Sequence, residues 1–128
     1  MKPRIELSSV NPKALQTLLT LQSQVDQSGL DAKLMYLMKL RASQINGCAF
    51  CIDMHSKDAH AAGETGQRLY GLNAWHETPY YDDRERAALA WTEAITHVAS
   101  GHVPDSVYET VKSQSPRARS PISRSWRE

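Results

Sequence analysis

Apolar positions recur along most of the chain at intervals of three and four, the spacing of helices that bury one stripe. Asn11-Pro12 reads as a cap and first-turn pair. Behind it Leu15, Leu18, Leu19 and Val25 keep the helical period, so a first helix is expected over 13–27, stopped at Ser28-Gly29. Asp31 is placed to cap a second helix through about Ala42, with Leu34, Leu37, Met38 and Arg41 on one stripe. Asn46-Gly47 bends the chain, and a third helix is expected from near Cys48 to Gly63, a glycine suited to the position after a helix end. Gln67 to Leu72 predicts a short helical turn, and Asn73 to Tyr81, with Trp75 and Pro79, an irregular connection. Asp82 followed by Glu85 resembles a capping box. It predicts a fifth helix to about Ala99, with Ala88, Leu89, Trp91, Thr92 and Ile95 available for packing. Gly101 ends it, and Pro104 opens a sixth through about Lys112, using Val107 and Val111. No stretch alternates with a period of two, and no internal repeat of solenoid length is visible. The expected fold class is all-α, a bundle of about six helices.

Length agrees with one domain: the chain has 128 residues. A bundle of this size leaves apolar surface that association would cover, so a symmetric homo-oligomer, a dimer or larger, is expected. The formal net charge is +1, which points to neither nucleic acid nor a membrane surface as partner. No apolar run is long enough to span a bilayer, and the opening residues MKPRIELSSVNPK lack the apolar core of a secretory signal. A cytoplasmic location is therefore expected, where thiols are kept reduced. The charge is uneven: Arg117, Arg119, Arg124 and Arg127 face Glu128 alone near the end. The segment 114–128 is rich in Ser, Arg and Pro and has no apolar period, so it reads as a disordered tail behind a helical domain of 1–113.

The chemistry concentrates in Cys48-Ala-Phe-Cys51-Ile-Asp-Met-His55. On a helix, residues three and four apart share a face, so this spacing lines up two sulfurs and an imidazole. Thiols so placed can close a disulfide with little backbone movement. A free cysteine ionises near ~8.5, and both a helix N-terminus and a nearby histidine lower that value. The helix terminus favours Cys48 and the histidine favours Cys51, and the spacing alone leaves open which one attacks. A redox dithiol is the first reading. A metal site, with His60 or another chain as fourth ligand, is the second, and two cysteines that merely pack are the third. No cofactor is implied.

At these residues the chain resembles the carboxymuconolactone decarboxylase superfamily, on its AhpD-like alkylhydroperoxidase branch. The resemblance runs through Arg41-Ala-Ser-Gln-Ile-Asn-Gly-Cys48-Ala-Phe-Cys51-Ile-Asp-Met-His55, Ala62-Gly63-Glu64-Thr65, Leu72-Asn73-Ala74-Trp75 and Asp83-Arg84-Glu85-Arg86-Ala87-Ala88-Leu89-Ala90. It implies an all-helical homo-oligomer, commonly a trimer or hexamer, and a dithiol peroxidase or disulfide reductase. In that scheme Cys51 attacks a hydroperoxide, Cys48 resolves the sulfenic acid as a disulfide, His55 relays the proton, and an external thiol or disulfide reductant restores the dithiol. Two departures weaken the peroxidase expectation. The family's relay glutamate position is Tyr36 here, a poor base with an unperturbed pKa near ~10. The histidine that the founding peroxidase carries between its cysteines is Phe50. Glu64 and Glu85 are the carboxylates that stand as candidates to approach the histidine instead. Relatives also continue after the sixth helix into another helix, whereas Gln114 here is followed by SPRARSPISRSWRE, as a shifted reading frame would produce. The alternatives to the oxidoreductase are a non-enzymatic redox-sensing or metal-binding module, and a decarboxylase-type lyase, which needs no dithiol.

Other residues have plainer readings. His60, His76, His97 and His102 are expected to be solvated or to support other groups. Trp75, Tyr80, Tyr81 and Trp91 are expected in the core or at a subunit interface. Arg84, Glu85 and Arg86 form either a solvated helix start or part of a buried polar network. Met35, Met38 and Met54 are expected to fill gaps in the core.

Overall fold

The computed structural model describes residues 5–115. The expected tail therefore lies, from residue 116 on, outside the described residues. The chain divides after Asp31 into two compact units.

The first unit holds α1 (Leu7–Val10) and α2 (Pro12–Asp26). Asn11 caps α2 as expected: its Oδ1 accepts from Ala14 N at 3.1 Å, with Pro12 in the first turn. No residue of α2 is buried, and Leu18, Leu19, Leu21 and Val25 are exposed.

The second unit carries α3 (Ala32–Ile45), α4 (Ala49–Ala61), α5 (Gly66–Gly71), a 3₁₀ turn (Leu72–Ala74), α6 (Asp83–Thr96), α7 (Val98–Gly101) and α8 (Asp105–Gln114). Among the described residues every regular element is helical. The described residues form eight α-helices, against the expected six or so. Leu7–Val10 forms its own short helix, and the fifth expected helix breaks at His97 into α6 and α7. The break falls in Ile95-Thr96-His97-Val98, a run of β-branched and weakly helix-forming residues. There the Thr96 hydroxyl donates back to Thr92 O at 2.7 Å.

Helix α3 is the hub, packed against both α4 and α6, while α8 packs on α6. The core joins Leu37 and Leu40 of α3 to Ala59 of α4, Leu69 of α5, Leu72, Trp75, Tyr81 and Leu89 of α6. Leu37, Leu72 and Leu89 are wholly buried, which stabilises the fold by about 1.5–3 kcal/mol for each such side chain.

Two glycines set the frame. Gly47 has φ +63°, and Gly47 N donates to Gln44 O while Cys48 N donates to Ser43 O. Gly63 has φ +87° and repeats the pattern, with Gly63 N on His60 O and Glu64 N on Ala59 O. Both are Schellman endings, which need a left-handed residue that glycine adopts without a Cβ clash. The first closes α3 with only Asn46, Gly47 and Cys48 between it and α4, and the second closes α4.

The connection after the 3₁₀ turn is irregular, as expected, yet two arginines hold it. Arg86 donates to the carbonyls of Trp75, His76 and Thr78 at 2.8–3.2 Å, and Arg68 donates to Tyr80 O. Arg86 thus belongs to a polar network rather than a solvated helix start. The Asp82–Glu85 capping box forms in both directions.

Candidate active site

Cys48 sits where two helices meet. Its backbone N–H completes the ending of α3, and it is the N-cap of α4. Its Sγ accepts from Cys51 N at 3.3 Å, the place a serine or aspartate oxygen usually takes. Cys48 and Cys51 form a disulfide with Cα atoms 5.3 Å apart, inside the range that bridging requires. Each half of the disulfide is partly buried.

The rest of α4 explains why. Ile52 and Ala59 face the core, whereas Phe50, Asp53, Met54 and Lys57 face outward. Cys51, His55 and Asp58 occupy the border between these faces, at i, i+4 and i+7, and all three are partly buried. Phe50, between the cysteines, is 74% exposed. Met54 is also exposed, so it is not the core filler that its residue type suggested. Met35 is buried as expected, and Met38 is partly buried.

His55 keeps a side-chain exposure of 17%. Its Nδ1 is buried without a hydrogen-bond partner, and the nearest charge is Asp58 Oδ2 at 3.6 Å. That separation makes an ion pair when the ring is protonated but is too long for a hydrogen bond.

The carboxylates singled out from sequence occupy a different setting. Glu64 is buried, and its Oε1 accepts from Thr65 N at 2.9 Å and Arg68 Nε at 2.8 Å, while Oε2 is buried without a partner. Glu85 takes the other side of the Arg68 guanidinium and also accepts from Asp82 N at 2.9 Å. Tyr81 donates its hydroxyl to Arg68 O and packs under the same guanidinium, 4.9 Å from ring centre to cation. Burial alone would depress the Arg68 guanidinium, but its hydrogen bonds to Glu85 and Glu64 and their charges outweigh that and hold it above its ordinary value. Burial pushes the Tyr81 phenol up to about 12, against the opposing charge of Arg68. Tyr36 is partly buried against the core, with Lys39 Nζ 5.5 Å over its ring.

A second cluster links Arg41, Trp75, His76 and Glu93. Glu93 Oε1 accepts from Arg41 Nε at 2.7 Å and Trp75 Nε1 at 2.8 Å, and Oε2 lies 3.3 Å from His76 Nε2. Burial tends to raise the Glu93 carboxyl, but the Trp75 and Arg41 hydrogen bonds and the Arg41 charge win and hold it low. Among the described residues no group of three or more His, Cys, Asp and Glu side chains is arranged to hold a metal ion. No helix among them is long and apolar enough to cross a membrane.

Sequence reasoning missed Arg68 and Asp58. The signals were present as i,i+4 and i,i+3 spacings, Glu64 to Arg68 and His55 to Asp58. Such pairs are common on solvated helix faces, so spacing alone did not mark them.

The profile of the carboxymuconolactone decarboxylase family matches residues 12–94. An uncharacterized Bacillus subtilis protein, YdfG, is 41% identical over 112 residues, 88% of this chain and 76% of that protein. An uncharacterized Escherichia coli protein, YnjA, is 31% identical over 70 residues, 55% of this chain and 38% of that protein. A crystal structure of an Agrobacterium tumefaciens protein of unknown function, described as a candidate antioxidant defence protein AhpD, superposes with TM-score 0.86 at 39% identity. The match covers 90% of this chain and 79% of that one.

Proposed function

The chain belongs to the carboxymuconolactone decarboxylase family with an AhpD-like helical fold, and from its dithiol helix we propose that it is a thiol–disulfide oxidoreductase that reduces hydroperoxides. The observation that carries this reading is the Cys48–Cys51 disulfide at the start of α4, with Cys48 Sγ on the Cys51 N–H. A family fold and a closed dithiol fit a redox role, and the position of each sulfur supports the following division of labour.

In the oxidative half, the Cys51 thiolate attacks the outer peroxide oxygen, the O–O bond breaks, and alkoxide leaves to be protonated to alcohol. Cys51 is then a sulfenic acid. The Cys48 thiol attacks that sulfur, the disulfide forms and water departs. In the reductive half, two equivalents of an external thiol return two electrons, attacking Cys51 and expelling Cys48 as thiolate. The departing charge on Cys48 meets the Cys51 N–H and the positive end of the α4 dipole, so the N-cap sulfur is the better leaving group. His55 takes the Cys51 proton before attack and supplies one to the leaving alkoxide. A reducing compartment such as the cytosol provides the thiol donor. The exposed apolar faces fit a homo-oligomer as the working unit.

Anaerobic thiol titration before and after one equivalent of hydroperoxide tests the reading. The parent should lose two thiols. Cys48→Ser should consume one peroxide and stop at the sulfenic acid, and Cys51→Ser should not react. A Cys51→Ser protein that reacts as fast as the parent overturns the assignment.

A further inference from the structure

We propose that Asp58 is the positioning residue for His55, fixing which imidazole nitrogen is free to take the Cys51 proton. The inference rests on the dithiol reading above and adds to it the carboxylate which that reading lacks.

Three observations carry it. Cys51, His55 and Asp58 follow one another along the same border of α4, one turn apart at each step. His55 Nδ1 is buried with no hydrogen-bond partner, and the Asp58 carboxylate stands 3.6 Å from it. Asp58 also lies in the last turn of α4, where the helix dipole disfavours a negative charge. Its place there is therefore not explained by helix stability. The other carboxylates near this helix are committed elsewhere. Asp53 pairs with Lys57 at 2.6 Å, and Glu64 with Arg68 at 2.8 Å.

The chemistry is that of an oriented imidazole. A carboxylate facing Nδ1 holds the proton there and leaves the Nε2 lone pair as the base. The Cys51 S–H bond breaks, an Nε2–H bond forms, and the electron pair stays on sulfur. The imidazolium so made gains a charge-assisted hydrogen bond once the carboxylate closes on Nδ1. The Asp58 side chain is 44% exposed and has room to make that movement. Helical side chains lean toward the N-terminus of their helix, which directs His55 toward Cys51 and Asp58 toward His55.

The test uses full-length protein carrying Cys48→Ser, so that Cys51 is the single thiol and a good capping residue replaces Cys48. Iodoacetamide alkylation of Cys51 is timed at one neutral pH in four proteins: this parent, Asp58→Asn, Asp58→Glu and His55→Gln. The double variant His55→Gln/Asp58→Asn completes the cycle. ¹⁵N spectra of labelled histidine report the His55 tautomer. Asp58→Asn should slow alkylation by about tenfold or more and shift the ring toward the Nε2–H tautomer, as loss of an orienting carboxylate does. Asp58→Glu should restore much of the rate. The double variant should be no slower than His55→Gln, because a positioning residue has no effect once its imidazole is gone. Asp58→Asn at the parent rate, with His55→Gln slow, overturns the role of Asp58 and leaves the histidine relay standing. His55→Gln at the parent rate removes the relay itself, and Asp58 with it. Additive losses in the double variant also refute positioning through His55.

Discussion

At the residue scale, the cationic groups decide where the buried carboxylates stand. Arg68 is shared by Glu64 and Glu85, and all three side chains are at most 22% exposed. Removing it leaves two acids in a poorly solvated place. Arg68→Ala is expected to cost about 3 kcal/mol or more of folding stability, the range for breaking one partner out of a buried ion pair. Urea unfolding measures it, and a loss under about 1 kcal/mol would mean the pair behaves like a surface salt bridge. Glu93 offers a pH test with a definite sign. Its carboxyl is held below the ordinary 4.5, so it contributes stability above that pH and loses it as the pH falls through the lowered value. Glu93→Gln should therefore show a shallower fall in unfolding free energy between neutral pH and about pH 3 than the parent does. Equal slopes would show that Glu93 is not held low in the folded state.

At the element scale, the dithiol depends on a turn rather than on a helix. Gly47 must be left-handed for Cys48 to end α3 with its N–H and begin α4 with its sulfur. No atom would obstruct a Cβ at Gly47, so the cost of a side chain there is conformational alone. Gly47→Ala is expected to lose about 1–2 kcal/mol and to slow closure of the disulfide after peroxide addition. Stopped-flow thiol loss against the unfolding midpoint separates the two effects. A variant that is destabilised but closes the bond at the parent rate would show that the turn sets stability only. The capping pairs at Asn11 and at Asp82–Glu85 form as the sequence suggests. Each satisfies backbone donors within four residues, which is why such elements are readable from local text.

At the scale of the whole molecule, the question is what covers the apolar surface. Leu18 and Leu19 of α2 are each more than half exposed, and an isolated helix of that length is marginal in water. The proposed homo-oligomer answers this by covering the stripe with another copy. Light scattering should give a mass that is a multiple of the 14.4 kDa chain, and Leu18→Glu should lower the association state. A parent that runs as a monomer at micromolar concentration would sink that assembly.

The sequence by itself determined the helices, most of their ends, and the pairing of Cys48 with Cys51, because these are set by spacing over three or four residues and by caps that act locally. Of the expected α3 stripe, Leu34 and Leu37 are buried and Met38 and Arg41 only partly so, while Leu40, outside that stripe, joins the core. Only the tertiary structure decided which charges meet. Arg68 reaches Glu85 across seventeen residues and Arg41 reaches Glu93 across fifty-two, and no local pattern encodes such a contact. It also decided that α4 turns Cys51, His55 and Asp58 to the border of the core, where all three are partly buried. Whether a side chain is core, border or surface depends on what the rest of the fold brings against it, and a common spacing of residues does not carry that information.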